Sequence, residues 1–329
     1  MKNPPYSMIA GMGVAIPANV LTNADLERMI DTSDAWIRER TGIEKRHIIE
    51  EGRYTSDLCA EAGRNALADA GLAVDTVDLI CVATVTGDMA FPSTACIVQE
   101  KLGARNASAL DIAAACSGFL YALSWADAMI ALGRARTVLV IGGETLSRVT
   151  DYQDRTTAVL FGDGAGAVLL QPSDGMRGVI DTYLRSDGRF GHLLRIDGLG
   201  TKIPPSHESV DRRDQFIKME GREVFKQAVT AMGDAAETIL QRNGLDGSDI
   251  DLLIPHQANL RIIDATAKRV NIPPERVFVN IDQYGNTSAA SIPIALEEAR
   301  RTGRLQPGGL ALMVAFGSGF TWASALVRF

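Results

Sequence analysis

Cys116 stands at the junction between a predicted strand and a predicted helix. It follows the apolar run 109–112 and three alanines, and it precedes Ser117-Gly118 and a helical pattern. A thiol at a helix N-terminus feels the positive end of the helix dipole, which favours the thiolate and makes the sulfur a better nucleophile. A buried cysteine that serves as a small apolar side chain has the same local pattern. Both interpretations stay open for Cys116 taken alone.

Two other polar residues, His256 and Asn286, also lie where a predicted strand gives way to a predicted helix. His256 follows the run 252–254, and Asn286 follows the run 277–279. Each is explained equally well, by itself, by hydrogen bonding in a loop or at a helix cap. In a parallel sheet, however, such junctions share one edge, so a thiol, an imidazole and an amide would meet there. A nucleophile beside two hydrogen-bond donors suits acyl transfer.

Three glycine-rich turns are candidate anion or nucleotide sites. Gly317-Ser318-Gly319 follows the last predicted strand, and its glycines allow backbone N–H groups to point at an oxyanion, although a plain tight turn has the same sequence. Gly11-Met12-Gly13 lacks the third glycine of a dinucleotide fingerprint, because Ile16-Pro17 stands there. The spacing of 162–166 is also wrong, and no Gly-Lys-Ser/Thr occurs. The sequence therefore disfavours a nucleotide-binding loop.

The composition excludes several classes of protein. The chain has 329 residues, 46% of them hydrophobic and 22% charged, which is enough for a large core without metal or disulfide support. A net charge of -7 argues against a nucleic-acid or membrane-surface binder, which needs clustered Lys and Arg. None of the four cysteines has CxxC spacing, which favours free thiols, no metal and a reducing compartment. With no apolar run of about 18 residues, we predict a cytoplasmic protein without membrane spans.

Short apolar runs alternate with longer helical patterns, which predicts an α/β fold with largely parallel sheets. A loop-rich stretch over 171–209 places a boundary near Asp174, and a glycine-rich turn near the end of each part suggests two similar halves. The predicted strands cover 79–84, 109–112, 137–141, 165–170, 252–254, 277–279 and 311–315, and the predicted helices cover 56–70, 119–132, 220–243, 259–270 and 288–302.

Six segments, in order, carry a resemblance to a known family. They are Trp36-Ile37-x-x-Arg40-Thr41-Gly42-Ile43, Ala114-Ala115-Cys116-Ser117-Gly118-Phe119, 161–167, 255–261, 285–288 and 316–322. Together they closely resemble the 3-oxoacyl-acyl-carrier-protein synthase III family, the initiating condensing enzymes of bacterial type II fatty-acid synthesis. The resemblance implies a thiolase-like α/β fold and a homodimer. Two similar halves, here 1–173 and 174–329, would form a five-layer α-β-α-β-α arrangement.

The resemblance also implies a decarboxylative Claisen condensation. Cys116 would take an acyl group from acyl-CoA; malonyl-acyl-carrier-protein would then lose CO2, and its enolate would attack the acyl-Cys to give a 3-oxoacyl-acyl-carrier-protein. His256 and Asn286 would hydrogen-bond the malonyl thioester oxygen, and the backbone N–H groups of Cys116 and Gly319 would form the oxyanion hole. Acyl-CoA is a substrate, so no cofactor is expected.

Other positions of the family's binding path match one by one. Trp36 and Arg155 match the pair that stacks on the CoA adenine. Phe91 matches a residue that closes the partner subunit's acyl pocket, where a Phe favours a short primer such as acetyl. The remaining matches are Arg40 near the CoA phosphates, Thr41 at the nucleotide, Gly221, Phe225, Ala258 and Asn259 along the pantetheine tunnel, and Lys226, Arg261 and Lys268 on the basic rim that meets the carrier protein. The sequence departs from the family pattern at Ser117, Arg222 and Ser318.

Two other functions fit the same fold. A sibling enzyme would condense or transfer a different acyl group in secondary metabolism. A non-catalytic partner subunit would bind the carrier protein, but it would need none of Cys116, His256 and Asn286. A dinucleotide oxidoreductase would need the glycine-rich fingerprint that the sequence lacks.

Overall fold

The computed structural model describes residues 6–329, which contain thirteen strands and eleven α-helices. The strands are β1 Ser7–Ala15, β2 Asn19–Thr22, β3 Lys45–Ile48, β4 Leu79–Ala83, β5 Ser108–Ile112, β6 Val138–Thr145, β7 Asp163–Pro172, β8 Gly178–Ser186, β9 Leu194–Ile196, β10 Ile217–Met219, β11 Leu252–Pro255, β12 Leu310–Gly317 and β13 Thr321–Arg328. The helices are α1 Asn23–Glu27, α2 Asp34–Thr41, α3 Thr55–Ala70, α4 Thr94–Leu102, α5 Gly118–Ala131, α6 Arg155–Ala158, α7 His207–Asp211, α8 Gly221–Asn243, α9 Leu260–Arg269, α10 Ile281–Tyr284 and α11 Ser291–Arg301.

Nine strands form two mixed sheets. The first has the order β1-β7-β6-β4-β5, in which β4 runs parallel to both neighbours while β7 is antiparallel to β1 and β6. The second has the order β11-β12-β13-β8, in which only β11 and β12 are parallel. The prediction of largely parallel sheets was therefore wrong. In the second sheet the reason is the short connection between β12 and β13, which allows a hairpin but no crossover.

Helices cover both faces of both sheets and give five layers. Helices α3 and α4 pack on the outer face of the first sheet, α5 and α11 lie between the sheets, and α8 and α9 cover the outer face of the second. Strand β4 shows why: Cys81 is buried between the sheets, whereas the next residue, Val82, is buried under α3 and α4. Strands that are apolar on both faces need helices on both. The predicted five-layer arrangement is confirmed.

Helix ends follow the predicted glycine signals. Helix α3 ends at Gly71 (φ 65°) and α8 ends at Gly244 (φ 67°), both in the left-handed conformation that glycine adopts without steric cost. The predicted helix over 288–302 is a 3-10 turn, Ser288–Ala290, followed by α11. None of the helices within residues 6–329 combines the length and the apolar character that a bilayer span requires.

The segment 277–279 is not a strand, which corrects the prediction. Val277 forms only an isolated bridge with Leu253. The side chain of Gln257 then takes the place of a strand partner, because its Nε2 donates to the carbonyl of Phe278 at 3.2 Å and its Oε1 accepts the N–H of Asn280 at 3.0 Å. Conversely, β8 lies within the stretch that was predicted to be rich in loops, and it pairs along its length with β13.

Candidate active site

Cys116 lies in a tight 3-10 turn, Ala115–Ser117, between β5 and α5. Ala115 has φ 46°, a conformation that is uncommon for a residue with a Cβ and that is often found at functional sites. Gly317 makes room for this turn: a Cβ there would lie 2.6 Å from the backbone nitrogen of Cys116. The sulfur is therefore presented by a strained turn that depends on the absence of a side chain in β12.

Ser117, which departs from the family pattern, helps to hold this turn against the β12–β13 hairpin, and Ser318, another departure, holds the hairpin against β9. Buried Ser117 donates from Oγ to the carbonyl of Thr321 at 3.0 Å. Thr321 in turn donates from Oγ1 to the carbonyl of Ala114 at 2.9 Å. Ser318 donates to the carbonyl of Leu194. The bonds of Ser117 and Thr321 join the end of the first sheet to the end of the second, whereas the bond of Ser318 joins the hairpin to β9.

His256 follows β11 and is buried. Its backbone N–H donates to the carbonyl of Val314 at 2.8 Å, and its Nδ1 lies 2.6 Å from Ser291 Oγ. Because that Oγ also accepts the N–H of Gln257 at 3.5 Å, the serine hydrogen is available to Nδ1, which places the ring proton on Nε2. Burial lowers the pKa of His256 to about 3. The ring is therefore a neutral hydrogen-bond donor at neutral pH.

Asn286 lies in the loop before α11 and bridges to Phe161. Its backbone N–H donates to the carbonyl of Leu160 at 2.9 Å, and its carbonyl accepts the N–H of Gly162 at 3.0 Å. The side-chain Oδ1 accepts the N–H of Ser288 at 2.9 Å. Since the oxygen is engaged, the Nδ2 group is the part of the amide that remains for a substrate oxygen.

Cys116, His256 and Asn286 line one cavity of about 520 Å³. The predicted reason for their meeting was wrong, because they do not share the edge of one parallel sheet. Cys116 follows a strand of the first sheet, His256 follows a strand of the second, and Asn286 lies in a loop that no regular strand precedes. The two sheets face each other, and the strand ends that carry Cys116 and His256 open on the same cavity.

A second cavity, of about 490 Å³, meets the first at Cys116. Gly319 and Ser318 form part of its wall, and Leu146, Phe161 and Ile217 supply apolar side chains. Gly319 has φ 135°, which only glycine adopts readily. Cys116 is therefore accessible from two sides: a long cavity that opens at helices α2, α8 and α9, and a mostly apolar one beyond the sulfur.

The first cavity collects seven of the eight residues that the sequence assigned to CoA and pantetheine binding, together with Arg261, which it assigned to the carrier-protein rim. They are Trp36, Arg40, Thr41, Gly221, Phe225, Ala258, Asn259 and Arg261. Arg222, the third departure from the family pattern, lies in the same wall. The path from these residues to Cys116 is continuous, so the structure brings the predicted binding residues and the predicted triad to one cavity. Their individual roles stay predictions.

Several of these side chains already have partners within the protein. Thr41 donates from Oγ1 to the carbonyl of Ile37 at 2.7 Å. Asn259 caps α9 and donates from Nδ2 to the carbonyl of Arg40 at 2.8 Å. The guanidinium of Arg155 lies 4.6 Å from the Trp36 ring centroid. An adenine can be sandwiched between Trp36 and Arg155 only if Arg155 moves away from the ring.

The remaining predicted residues lie outside the cavities. Lys226 on α8 and Lys268 on α9 are exposed on the outer helical layer, near Arg261, which stacks 5.2 Å from the Phe225 centroid. Phe91 is 85% exposed and lines neither cavity of this chain. The structure thus gives Phe91 no role within a single subunit.

Sequence reasoning missed Glu144, which is fully buried at the end of β6, close to Cys116. Burial raises the pKa of Glu144 to about 7, while hydrogen bonds from Thr86, Val85, Ser288 and Thr84 lower it. The signal was a single acidic residue in an apolar run beside Gly142-Gly143, just beyond the predicted strand 137–141.

The Cys116 thiol is neutral at rest. Burial raises its pKa to about 12; the neighbouring Ser288 hydroxyl works in the other direction, and the charge of Glu144 adds to the rise. A buried thiolate next to a buried carboxylate would place two like charges together. Any reaction of this thiol as a nucleophile therefore needs a group that takes its proton.

Comparison with known proteins shows what this chain is similar to. A model of the family described as 3-oxoacyl-[acyl-carrier-protein] synthase III matches residues 110–188, and the model of its C-terminal part matches residues 240–329. The beta-ketoacyl-[acyl-carrier-protein] synthase III of Rhodospirillum rubrum is 55% identical over 328 residues, 98% of this chain and 99% of the relative. That of Roseiflexus castenholzii is 52% identical over 323 residues, 98% of both chains.

A solved structure of the same family has the same fold. The crystal structure of 3-oxoacyl-[acyl-carrier-protein] synthase III from Aquifex aeolicus superposes with a TM-score of 0.92 at 47% identity and covers 98% of this chain and 100% of that one. The similarity confirms the predicted thiolase-like α/β fold and the predicted family resemblance over nearly the whole chain.

Proposed function

Because this chain belongs to the 3-oxoacyl-[acyl-carrier-protein] synthase III family, the condensing enzymes that initiate fatty-acid synthesis, we propose that it works through an acyl-Cys116 intermediate and uses acetyl-CoA as its primer. One observation carries the proposal: Cys116, His256 and Asn286 line a single cavity that continues to an outer rim of arginines and aromatic rings. A thioester substrate can enter along this path and present its carbonyl to the sulfur.

In the first half-reaction Cys116 attacks the acyl-CoA carbonyl. The bond from carbon to the CoA sulfur breaks, and CoA leaves through the long cavity. The backbone N–H groups of Cys116 and Gly319 are the proposed donors to the oxyanion that forms on the way, as glycine leaves that side of the site open. The turn that carries Cys116 is held by the β12–β13 hairpin, so the donors are fixed before the substrate arrives.

In the second half-reaction the malonyl thioester occupies the same cavity and loses CO2. His256 Nε2–H and Asn286 Nδ2–H donate to its thioester oxygen and stabilise the enolate, which then attacks the acyl-Cys116 carbonyl. A neutral imidazole suits this task, because decarboxylation needs hydrogen-bond donors at the carbonyl rather than a base. The pKa of about 3 that burial imposes on His256 keeps the ring neutral.

The second cavity is proposed to hold the acyl chain of the primer. Its wall is mostly apolar, and it begins at Cys116. We propose that the chain forms a homodimer in which Phe91 of one subunit closes this cavity in its partner. The 85% exposure of the Phe91 ring supports this arrangement, since a large apolar side chain so exposed gains by burial in an interface. A cavity closed by a phenylalanine favours acetyl over longer primers.

Intact mass spectrometry tests the proposal. The wild-type protein and Cys116→Ala are incubated with acetyl-CoA, and malonyl-acyl-carrier-protein is added afterwards. We expect the wild type to gain one acetyl group, to lose it on addition of the malonyl thioester, and to release a 3-oxoacyl-acyl-carrier-protein. Cys116→Ala should gain nothing.

Three other outcomes have distinct meanings. Labelling by longer or branched acyl-CoA in place of acetyl-CoA would keep the acyl-Cys116 mechanism and contradict the primer. Labelling of Cys116→Ala would contradict the nucleophile. An acetyl group that malonyl-acyl-carrier-protein leaves in place would contradict the carrier-protein step and favour the sibling enzyme of secondary metabolism.

A further inference from the structure

Glu144 is a buried acid without a cation. It is fully buried at the C-terminal end of β6 and makes no ion pair within residues 6–329. Buried carboxylates are normally paired with a charge or held in the protonated form, because desolvation of an unpaired charge is costly. The neighbours of Glu144 are instead neutral hydrogen-bond donors. The carboxyl group can therefore be either protonated or ionised.

The two carboxylate oxygens of Glu144 face different partners. Oε2 accepts from Thr84 Oγ1 at 3.1 Å, from the N–H of Thr86 at 3.1 Å and from the Thr86 hydroxyl, and the N–H of Val85 lies 3.2 Å from it. Oε1 accepts the hydroxyl of Ser288 at 3.0 Å. The loop of residues 84–86 therefore anchors Oε2 and reaches Oε1 only through the shared N–H of Val85 at 3.3 Å, while the hydroxyl directed at Oε1 is that of Ser288.

Ser288 connects this carboxylate to the nucleophile. The 3-10 turn that carries Ser288 packs against the turn that carries Cys116, and both residues line the second cavity. The backbone of Ser288 has φ 49°, and its N–H is fixed by Asn286 Oδ1 at 2.9 Å. A serine held in a left-handed conformation at this place is a strained feature that a purely structural turn does not need.

We propose that Ser288 and Glu144 form a proton relay for Cys116, in which Glu144 holds the thiol proton for as long as the sulfur is acylated. In the resting enzyme the thiol donates to Ser288 Oγ, and the Ser288 hydroxyl donates to Glu144 Oε1. When Cys116 attacks a carbonyl, its proton passes to Ser288 Oγ while the serine proton passes to Glu144. The direction of hydrogen-bond donation between Cys116, Ser288 and Glu144 is then reversed.

The relay balances over the whole cycle and rests on the proposed acyl-Cys116 intermediate. In acylation the Cys116 sulfur forms the new bond to the acyl carbon, the CoA thiolate leaves and takes a proton from water, and Glu144 is protonated. In condensation the enolate carbon bonds to the acyl carbon, and the Cys116 thiolate leaves. The stored proton returns from Glu144 through Ser288 to that thiolate. The enzyme regains its resting state, and the overall reaction consumes one proton.

The pKa values of Glu144 and Cys116 are consistent with a proton that moves between them. The pKa of Glu144, raised by burial to about 7, allows the carboxyl group to take and release a proton near neutral pH. The charge of Glu144 raises the pKa of Cys116, so the two groups compete for one proton and are not both ionised. Acylation removes the thiol from this competition and leaves the proton on Glu144.

No other group near the pair takes its place as the proton acceptor. His256 keeps a neutral ring, because burial lowers its pKa to about 3. Burial raises the pKa of Cys59, on α3, well above its usual range, and the charges of Glu144, Asp88 and Asp111 act in the same direction. Asp163, on the adjacent strand β7, is directed at the Ile49 N–H and at Ser147.

Alkylation of Cys116 by iodoacetamide tests the relay without any acyl-CoA. The rate is followed by intact mass from pH 5 to 9 in the full-length protein, with peptide mapping to identify the labelled cysteine. In the wild type we expect the rate to rise through an inflection near pH 7, as Glu144 becomes able to accept the proton. Glu144→Gln should react about 100-fold more slowly at pH 8 and lose the inflection, the usual size of a lost general base. Ser288→Ala should lose it too.

Two further variants separate the relay from a structural role. Glu144→Asp keeps a carboxyl group and should restore part of the rate. Thr86→Val removes a hydrogen bond that lowers the pKa of Glu144, so the inflection should move to higher pH. If the substitutions acted only on the structure, the melting temperature would change, but the inflection in the pH profile of the alkylation rate would stay at the same pH. If Glu144→Gln fails to fold, Thr86→Val and Ser288→Ala carry the test.

A folded Glu144→Gln that alkylates at the wild-type rate, with the wild-type pH profile, would overturn the relay, and so would an unmoved inflection in Thr86→Val. A second readout is difference infrared spectroscopy: acetylation of Cys116 should produce a carboxylic-acid band that Glu144→Gln lacks. Because iodoacetamide is not a thioester, a protein that fails to react with acetyl-CoA but keeps Glu144-dependent alkylation would contradict the proposed function and leave the relay intact.

Discussion

At the scale of single residues, burial sets the protonation state of the proposed active site. Burial disfavours the charged form of His256, of Cys116 and of Glu144. A neutral imidazole and a neutral thiol are the result, and Glu144 titrates near neutral pH. The site therefore holds almost no fixed charge until chemistry begins, and its donors gain strength from the low dielectric around them.

The buried His256 should make folding stability depend on pH. Its pKa is lowered from 6.5 to about 3, so between these values the unfolded chain binds a proton that the native state rejects. Stability must then rise with pH through this window and fall as the pH drops below about 6.5. At pH 5 the loss from this one residue is about 2 kcal/mol.

Urea unfolding at pH 7.5 and pH 5, at one protein concentration, measures this effect. On acidification the free energy of unfolding of the wild type should fall by about 2 kcal/mol more than that of His256→Gln, which has no imidazole to protonate. Glu144 contributes with the opposite sign, but equally in both proteins, so the difference isolates His256. If acidification lowered the free energy of unfolding equally in the wild type and in His256→Gln, the result would contradict a neutral buried imidazole.

Ser117 and Ser318 show how a residue can support the site without taking part in chemistry. Buried Ser117 donates to the carbonyl of Thr321 and helps to join the nucleophile turn to the second sheet. We expect Ser117→Ala to lower the free energy of unfolding by about 1 kcal/mol, the usual value of one such bond. The acetylation rate of Cys116 should stay within about threefold of the wild type, because Thr321 still holds Ala114. Stopped-flow acetylation measures the rate, and urea unfolding measures the stability. A large loss of acetylation rate in Ser117→Ala with unchanged stability would contradict both predictions.

At the scale of elements, the position of Cys116 depends on strand β12 as much as on its own helix. A Cβ on Gly317 would lie 2.6 Å from the Cys116 backbone nitrogen, a distance that forces the turn to move. We expect Gly317→Ala to fold and to lower the acetylation rate about tenfold or more, because small displacements of a nucleophile are costly. Gly200→Ala is the control, since a Cβ there has no neighbour within 4 Å. Equal rates for both variants would show that the turn adapts.

The elements also show what the sequence can and cannot predict. Helix ends at Gly71 and Gly244 were predictable, because glycine in the left-handed conformation is a local signal. The segment 277–279 was wrongly predicted to be a strand, because its partner is the side chain of Gln257, which local apolar character does not reveal. Glu144 was missed for a similar reason: its donors in 84–86 lie about 60 residues away in the chain.

At the scale of the whole molecule, the two sheets open on one cavity, although the three triad residues reach it from different elements. The residue types were sufficient to predict acyl transfer, but the geometry came from the packing of one sheet against the other. The order of strands and helices along the sequence does not predict that β5 and β11 end on the same cavity. Their relative position depends on how the two sheets pack against the buried layer of α5 and α11. Of the predicted basic rim, Arg261 lines this cavity, a position that the local sequence does not reveal.

Lys226 and Lys268, the two rim cations that lie outside the cavity, should contribute to carrier-protein binding and not to the reaction with CoA thioesters. An acidic protein of net charge -7 repels an acidic partner at long range, so local cations must guide the approach. We expect Lys226→Glu/Lys268→Glu to raise KM for malonyl-acyl-carrier-protein about tenfold at low salt, a difference that shrinks as salt screens the charges. Acetylation of Cys116 by acetyl-CoA should keep its rate.

The control for this prediction is Arg134→Glu/Arg136→Glu, which makes the same charge change at two exposed positions beyond the far end of α5. That helix begins beside Cys116 and has 14 residues, so it places Arg134 about 20 Å away from the nucleophile. Steady-state kinetics with malonyl-acyl-carrier-protein at two salt concentrations compares the proteins. An equal rise in KM for Arg134→Glu/Arg136→Glu would mean that net charge governs the encounter. If acetylation slowed together with the carrier-protein step, the lysines would act on the cavity itself, and the separation of the two binding surfaces would be wrong.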